Sequence, residues 1–224
     1  MNRKKRLLFR EIAQYVQQLI ASKTAYVPHP IEAALFLTKK CNSRCTMCNY
    51  WKAADNINEL TTEEVLRLLE ELKGLGVVIL SLSAEGEITL RKDLPLIIDR
   101  IRQHGFLYSV NTNFLYISEE ILKAFIDYPP YQITVGIDTL DSDKYTLIRG
   151  VKNGLKRVLS NVKRFRERGY GNICFGTVIL PDNLDDLIEL TNYAKKEGLK
   201  GIRFTAFQPN GFGIKWTKEE LKRF

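Results

Sequence analysis

Short apolar runs alternate along the chain with segments of helical periodicity. Six runs are nearly continuous in hydrophobicity, as strands buried on both faces of a sheet are: 32–38, 77–83, 106–111, 132–138, 172–178 and 201–206. Between them, apolar residues recur every three or four positions, and several of these segments open on Thr, Ser or Asn and close on Gly, the expected helix caps. These predicted helices cover 61–76, 92–105, 118–127, 154–169 and 183–198, and another begins at Trp216.

Six strand–helix units in regular order predict an α/β fold with a parallel sheet, because parallel strands need crossovers and helices usually supply them. A complete eight-unit barrel takes about 250 residues, so we expect a partial (β/α)6 TIM-like barrel over residues 31–224. A doubly wound sheet is the alternative that periodicity leaves open. The chain ends in a freshly started helix, so this core is expected either to be minimal or to lack a C-terminal extension.

Residues 1–30 precede the first strand and are expected to form a separate unit. Apolar positions three or four residues apart between 6 and 20 predict a basic amphipathic helix, which Pro28 and Pro30 separate from the barrel. We expect this helix to close one end of the barrel. A peripheral contact of residues 3–20 with a membrane or a partner is the alternative.

The net charge of +8 is concentrated at one end, since the first ten residues carry five basic groups and no acid. A nucleic-acid footprint would need basic and aromatic residues along one face, so nucleic acid is not supported as a partner. The sequence contains no run of 18 apolar residues and no secretory cleavage pattern. Four cysteines, three of them clustered, indicate a metal centre in a reducing cytoplasm, with a membrane-peripheral location if the first helix binds lipid.

The clustered cysteines directly follow the first strand, and ligands of parallel barrels bind at that end of the strands. Cys41, Cys45 and Cys48 lie on one predicted loop, and thiolates select iron–sulfur clusters, zinc or copper(I). Cys174 lies in a predicted strand and is expected to be a core residue. A structural zinc site or a fully ligated cluster needs a fourth protein ligand, whereas three cysteines on a four-iron cluster leave one iron open.

This cysteine spacing after a first barrel strand resembles the signature of the radical S-adenosylmethionine (radical SAM) superfamily, and the resemblance runs over residues 31–210. It implies a [4Fe-4S] cluster on Cys41, Cys45 and Cys48 whose free iron binds S-adenosylmethionine (SAM). It also implies an oxidoreductase or transferase that cleaves SAM reductively and uses a 5′-deoxyadenosyl radical to abstract hydrogen. The substrate, whether a small molecule, a peptide or a lipid, stays open, and a flavodoxin- or ferredoxin-like protein is the implied electron donor.

Later segments extend the resemblance and imply contacts with SAM. In the segment 81–94, Gly86 and Glu87 match the second Gly and the Glu of a Gly-Gly-Glu-Pro motif that holds the SAM amino group. Asn113 matches an Asn-Thr-Asn-Gly segment after the third strand. After the fourth strand, Asp138 is implied to contact the ribose, and Arg149 the methionine carboxylate, which a guanidinium binds in bidentate fashion.

Each of these contacts has a structural alternative. Glu87 would otherwise be a solvated loop carboxylate, Asp138 a helix N-cap and Arg149 a surface ion-pair partner. Met47 matches a position that lies near the adenine in the family, and would otherwise pack within its loop.

Four residues depart from the family pattern: Glu85 replaces the first Gly, Ile88 the Pro, Phe114 the last Gly of its segment and Gly136 the usual Ser. Glu85 is expected to add strain or to force a different loop if that position needs a conformation open only to Gly. Gly136 is expected to remove one hydrogen bond. These departures support a second hypothesis, a degenerate module that binds the cluster without orienting SAM. A zinc or iron–sulfur electron-transfer protein is the third.

Overall fold

The computed structural model is built around six parallel strands: β1 (Glu32–Phe36), β2 (Ile79–Ser83), β3 (Leu107–Thr112), β4 (Gln132–Gly136), β5 (Ile173–Ile179) and β6 (Gly201–Ala206). The structure describes residues 29–53, 58–207 and 216–221, together with 12, 16–17, 19–21 and 23–24. Every predicted strand is confirmed, with its ends placed within two residues of the observed ones.

Helices connect the strands in the described part of the chain. They are α1 (Thr62–Gly74), α2 (Leu94–His104), α3 (Glu119–Asp127), α4 (Ser142–Arg149), α5 (Gly154–Glu167), α6 (Leu187–Lys196) and α7 (Lys218–Leu221). Sequence periodicity did not predict α4, which is only eight residues long. Its caps are nevertheless regular, because the Asp141 carboxylate accepts hydrogen bonds from two backbone N–H groups and Gly150 ends the helix at φ +67°.

Each strand pairs in parallel with the strand that follows it in sequence, so the sheet order is β1 to β6. A doubly wound sheet reverses its strand order at a switch point, so that alternative is wrong. The partial (β/α)6 barrel is confirmed, with β1 and β6 at the two edges of the described sheet.

The hydrophobic core lies between the sheet and its covering helices. Val65 and Leu69 of α1 and Ile97 of α2 are fully buried, as the helical spacing predicts. An aromatic group surrounds Phe165 of α5, whose ring centroid lies 5.0 Å from that of Phe114. This packing fixes the helices against the strands and so fixes the loops at the carboxyl ends of the strands.

Most of the predicted N-terminal helix, including its basic residues 3–10, lies outside the described residues. Within it, positions 12, 16–17 and 19–21 are helical, and Ile12, Val16 and Leu19 are about half exposed. Nowhere in the described residues is there a helix both long and apolar enough to cross a membrane.

Candidate functional site

The carboxyl ends of the strands surround one open cavity of about 460 Å³. Parallel strands deliver the residues that follow them to the same edge of the sheet, so loops that are distant in sequence meet here. The cavity wall includes most of the residues singled out in the sequence: Cys41, Cys45, Met47, Cys48, Gly86, Glu87, Asn113, Gly136 and Arg149. Asp138 does not line this cavity.

The cysteine loop is held against the end of α4 by backbone hydrogen bonds. The Arg44 N–H donates to the carbonyl of Arg149 at 3.0 Å, and the Thr46 N–H donates to that of Ile148 at 2.9 Å. Gly150 permits this approach, because a Cβ there would lie 2.7 Å from the Arg44 Cβ. The loop is therefore fixed beside Arg149 at a distance of more than 100 residues in sequence.

The thiols of Cys41, Cys45 and Cys48 are half-buried and unbridged. Burial raises the pKa of Cys41 and of Cys45, although the positive charge of Arg149 opposes the rise at Cys45. These two thiols are therefore protonated at neutral pH in the metal-free protein. Since metals bind thiolates, loading the site releases protons.

The three thiols suit an iron–sulfur cluster better than a single ion. Cys41, Cys45 and Cys48 line the same cavity, and Cys174 does not. A zinc ion needs its sulfur ligands at about 2.3 Å from one point, whereas a cluster offers each thiolate a separate iron. Three cysteines on one wall, facing an open cavity, fit a four-iron cluster with one iron left for an outside ligand.

Glu87 is buried at the cavity wall, with 2% of its surface exposed. Its carboxylate accepts hydrogen bonds from the N–H and hydroxyl of Thr89, from the hydroxyl of Thr112 and from the N–H of Asn113, at 2.5–3.0 Å. All of these donors are neutral. Burial raises the pKa of Glu87, and the four hydrogen bonds oppose that rise without cancelling it. The solvated-carboxylate interpretation is wrong.

Gly86 is required by a close approach of two backbones. Its N–H donates to the carbonyl of Thr38 at 3.0 Å, and the next N–H, of Glu87, donates to that of Lys40 at 2.7 Å. A Cβ on Gly86 would overlap the backbone of Lys39 and Lys40. Gly86 therefore joins the loop that follows β2 to the chain that leads into the cysteines.

Asn113 connects the cysteine loop to the part of the cavity wall that contains Glu87. Its side-chain amide donates to the side-chain oxygen (Oδ1) of Asn42 at 2.7 Å and to the Ser43 hydroxyl at 3.0 Å. Its own side-chain oxygen accepts from the Leu115 N–H at 3.0 Å. Asn113 is thus buried and lines the cavity, and its side-chain amide and oxygen both make hydrogen bonds within the protein.

Arg149 and Asp138 form an ion pair in which Arg149 lines the cavity and Asp138 is buried behind it. The Arg149 Nε donates to Asp138 at 2.5 Å, and the second carboxylate oxygen of Asp138 accepts from the Val178 N–H at 2.8 Å. Burial lowers the pKa of Arg149, but the negative charge of Asp138 and the hydrogen bond to its carboxylate outweigh this effect and raise the pKa overall. Asp138 is not a helix N-cap and Arg149 is not a surface residue, so both structural alternatives are wrong.

The guanidinium of Arg149 occupies the space that a side chain at Gly136 would need. A Cβ on Gly136 would lie 2.9 Å from one terminal nitrogen of Arg149 and 3.1 Å from the other. The first of these nitrogens lies 4.0 Å from the Cys45 sulfur. Gly136 cannot supply the hydrogen bond expected of a serine. The absence of a side chain there leaves room for the Arg149 guanidinium, which places a positive charge at the cavity wall.

The other departures are accommodated without disrupting the wall. Glu85 has no left-handed backbone conformation, so the expected strain does not arise, and its carboxylate pairs with Lys39 at 3.4 Å. Ile88 is fully buried. Phe114 does have a left-handed φ of +59°, which costs about 1–3 kcal/mol, but burying its ring contributes a similar amount.

Several residues of the site carried no role in the sequence analysis. Arg91 donates to the carbonyl of Leu37 at 2.8 Å and pairs with Asp93 at 2.6 Å, which fixes the chain just before the cysteine loop. Arg203 of β6 lines the far side of the cavity. The available signal for Arg91 was the Leu-Arg-Lys-Asp-Leu run at 90–94, which resembles a family segment, and for Arg203 it was the position within a strand. Cys174 is buried in β5 and does not line the cavity, in agreement with the core interpretation.

Residues 35–223 match the family described as the Radical SAM superfamily. A probable GTP 3′,8-cyclase of Archaeoglobus fulgidus is 28% identical over 201 residues, which cover 84% of this chain and 66% of that protein. The Fe-coproporphyrin III synthase of Methanosarcina barkeri is 29% identical over 189 residues, covering 83% of this chain and 46% of that protein.

Among solved structures, Streptococcus suis SuiB bound to S-adenosylmethionine superposes with a TM-score of 0.76 at 18% identity, covering all of this chain and 52% of that one. This likeness shows the fold. The chain spans about half to two thirds of the length of the proteins that it matches.

Proposed function

Because this chain belongs to the radical SAM superfamily, we propose that it holds a [4Fe-4S] cluster through Cys41, Cys45 and Cys48 and cleaves SAM reductively. The observation that carries the proposal is the placement of three thiols and one buried guanidinium on the wall of a single open cavity. When bound and reduced, the cluster would supply one electron to the SAM sulfonium, and cleavage of the C5′–S bond would give methionine and a 5′-deoxyadenosyl radical. The departures from the family pattern are accommodated in the fold, which favours this function over a degenerate module.

Arg149 is proposed to bind the methionine carboxylate of SAM. Its Nε is engaged by Asp138, so the two terminal nitrogens above Gly136 stay directed along the cavity wall. A planar guanidinium held in this way binds a carboxylate through two parallel hydrogen bonds. Asp138 acts through Arg149 in this proposal, as a positioning residue, because both of its oxygens already accept protein hydrogen bonds.

The wall formed by Gly86, Glu87 and Asn113 is proposed to bind the amino group of SAM, with Met47 near the adenine. Of the four protein hydrogen bonds that the Glu87 carboxylate accepts, three fall on Oε1 and one on Oε2, so only Oε2 keeps an acceptor position for a further donor. We therefore assign to Glu87 the roles of holding this wall and of attracting an ammonium group by its charge. Asn113 fixes the wall relative to the cysteine loop.

The substrate is proposed to be an organic molecule bound beside SAM at the open edge of the sheet, near Arg203 and Thr205 of β6. Support for a peptide comes from Streptococcus suis SuiB, which was crystallised with its precursor peptide, and support for a small molecule comes from the GTP 3′,8-cyclases. A lipid substrate would fit a peripheral membrane contact of residues 3–20. Sedimentation with anionic liposomes at low salt tests that contact, and its absence would contradict it.

An acidic flavodoxin- or ferredoxin-like protein is proposed as the electron donor in the cytoplasm. The support is the net charge of +8, which would attract an acidic partner. Added salt screens such attraction, so the rate of cluster reduction by the donor is expected to fall as salt is added. A rate independent of salt would contradict this partner.

Residues 1–30 and 31–224 are proposed as separate units.

The proposed function is tested by anaerobic reconstitution with iron and sulfide, followed by reduction in the presence of SAM. We expect an iron-loaded protein that forms 5′-deoxyadenosine. Cys41→Ala, Cys45→Ala and Cys48→Ala should each lose that product together with most of the iron. Cys174→Ala is the matched control and should keep both, because Cys174 does not line the cavity. Undiminished product in any of the three loop variants would overturn the proposal.

A further inference from the structure

One segment within the barrel is strongly basic, in addition to the N-terminal end of the chain. Residues 151–169, which contain α5, carry seven Lys and Arg side chains and a single acid, Glu167. The arginines near the end of α5 have carboxylate partners. Arg164 pairs with Glu119 at 2.6 Å, and Arg168 pairs with the same carboxylate at 3.6 Å. Their charges are therefore balanced within the protein.

The positive charges at the start of α5 are not balanced in this way. Lys156 and Arg157 are exposed, and their side chains make no ion pair or hydrogen bond with any residue that the structure describes. Both lie in the first turn of α5, which holds no acid. The helix dipole disfavours positive charge at this end of a helix. Residues that oppose local stability in this way are often kept for a function.

Two grooves connect these cations to the cysteine loop. The first, of about 390 Å³, lies between α5 and the segment after β3, and its lining includes Tyr116, Lys156 and Arg157. The second, of about 490 Å³, is lined by Tyr116 and Arg157 again and also by Asn42. Because the grooves share two residues, they form one continuous surface. We call Asn42, Tyr116, Lys156 and Arg157 the basic surface.

The basic surface begins one residue away from a proposed cluster ligand. Asn42 is exposed on this surface, and it is bonded to Cys41, which lines the main cavity. The side-chain oxygen of Asn42 is held by the amide of Asn113 at 2.7 Å. The cysteine loop therefore borders both the cavity and the basic surface. Since electron transfer slows steeply with the distance between two redox centres, a donor bound here would be well placed to reduce a cluster on the cysteines.

We propose that the basic surface is the docking site of the electron donor, and that the donor is a protein with an acidic face, of the flavodoxin or ferredoxin kind. This inference rests on the proposed function and adds the place at which the electron enters. One electron passes from the reduced donor to the oxidised cluster, and no atom is transferred. Opposite charges on the two faces speed the encounter and orient the donor.

The shape of the basic surface also suits such a partner. Complexes of electron-transfer proteins are weak and bury little area, as a shallow charged surface allows. Nucleic acid is the other class of partner that positive charge attracts, but it also needs aromatic side chains on which bases stack. Among the described residues that line the two grooves, only Tyr116 is aromatic. An acidic protein is therefore the favoured occupant.

The test compares wild type with two charge-reversed variants after anaerobic reconstitution. Lys156→Glu/Arg157→Glu alters the basic surface. Lys195→Glu/Lys196→Glu is the matched control, because it changes the net charge equally at exposed residues in the last turn of α6, away from the cavity end of the strands.

The rate at which a reduced acidic flavodoxin reduces the cluster is measured by stopped-flow absorbance in about 0.1 M salt, where charges act over only ~10 Å. We expect the rate to fall about tenfold or more in Lys156→Glu/Arg157→Glu and by less than about twofold in the control. Equal rates in wild type and Lys156→Glu/Arg157→Glu would overturn the proposal. An equal fall in both variants would overturn it too, since net charge alone would then explain the effect.

Reduction by dithionite separates a lost docking site from a lost cluster. All three proteins should hold the same amount of iron and be reduced to the same extent by dithionite, because this small reductant needs no docking surface. A lower iron content in Lys156→Glu/Arg157→Glu that accounts for its slower reduction by flavodoxin would overturn the proposal.

Binding measurements on the metal-free proteins test the basic surface without the cluster. The affinity for oxidised flavodoxin, measured by isothermal titration calorimetry, should fall in Lys156→Glu/Arg157→Glu and not in the control. If affinity for a single-stranded oligonucleotide falls instead, with flavodoxin affinity unchanged, the surface binds nucleic acid and the proposal is overturned. A wild type that takes up no iron but binds flavodoxin through Lys156 and Arg157 would contradict the proposed function while supporting the docking surface.

Discussion

Two buried carboxylates hold opposite flanks of the cavity, and they are stabilised in different ways. On the Glu87 flank, formed after β2 and β3, the carboxylate accepts hydrogen bonds from neutral groups alone. On the Asp138 flank, formed by β4 and α4, the carboxylate pairs with the buried Arg149 guanidinium. The first flank builds a rigid wall, whereas the second keeps a cation beside the cysteines.

The difference shows how a buried charge is tolerated in each case. Hydrogen bonds from neutral donors lower the energetic cost of burying the Glu87 charge but do not remove it, so the pKa of Glu87 stays above its ordinary value. The ion pair on the Asp138 flank balances charge with charge, but it makes each partner dependent on the other. The two flanks should therefore respond differently to the loss of one partner.

Asp138→Asn should produce the largest effect on stability. It leaves the Arg149 charge buried without a counter-charge, which typically costs about 3–5 kcal/mol. Urea unfolding of the metal-free protein measures this loss. Asp99→Asn, which breaks a well-formed but exposed pair with Arg102, is the matched control and should leave the unfolding midpoint unchanged. Equal effects of the two substitutions would show that the buried ion pair on the Asp138 flank contributes no more to stability than the exposed pair.

Thr112→Val should have a smaller effect on the Glu87 flank. The substitution keeps the shape of the side chain but removes one donor to Glu87 and the acceptor for the Phe114 N–H. Leaving such groups unsatisfied costs about 1–3 kcal/mol, again measured by urea unfolding. Thr191→Val on α6, where the hydroxyl bond is exposed, is the control. A loss larger than that of Asp138→Asn would reverse the comparison.

The sequence predicted the six strands and the cavity position of the cysteines, because hydrophobic runs and local spacing carry that information. It did not predict that Asp138 and Arg149 pair, since a short, weakly periodic helix brings them together. Nor could it show that Thr112 and Asn113 donate hydrogen bonds to the Glu87 carboxylate, because those bonds join residues at the ends of two different strands. The need for Gly at 86 and 136 likewise depends on the close approach of other segments.

The pH dependence of stability should show the smallest effect. The folded chain holds a proton on Glu87 to higher pH than the unfolded chain does, because the folded pKa is raised above 4.5. The free energy of unfolding contributed by this group is therefore greatest at low pH and falls as pH rises from about 4.5 through the folded pKa. Glu87→Gln should flatten that part of the profile, measured by urea unfolding across pH. If the free energy of unfolding of Glu87→Gln falls as steeply with pH as that of wild type, the fall is due to another titrating group.

The most direct test of the account is whether SAM reaches the cluster. Reduced, reconstituted protein is examined by electron paramagnetic resonance before and after SAM is added. If three cysteines hold the cluster and its fourth iron is open to the cavity, SAM should change the spectrum, and Arg149→Ala should raise the SAM concentration required. A spectrum that SAM leaves unaltered, in protein with a full complement of iron, would contradict the central claim.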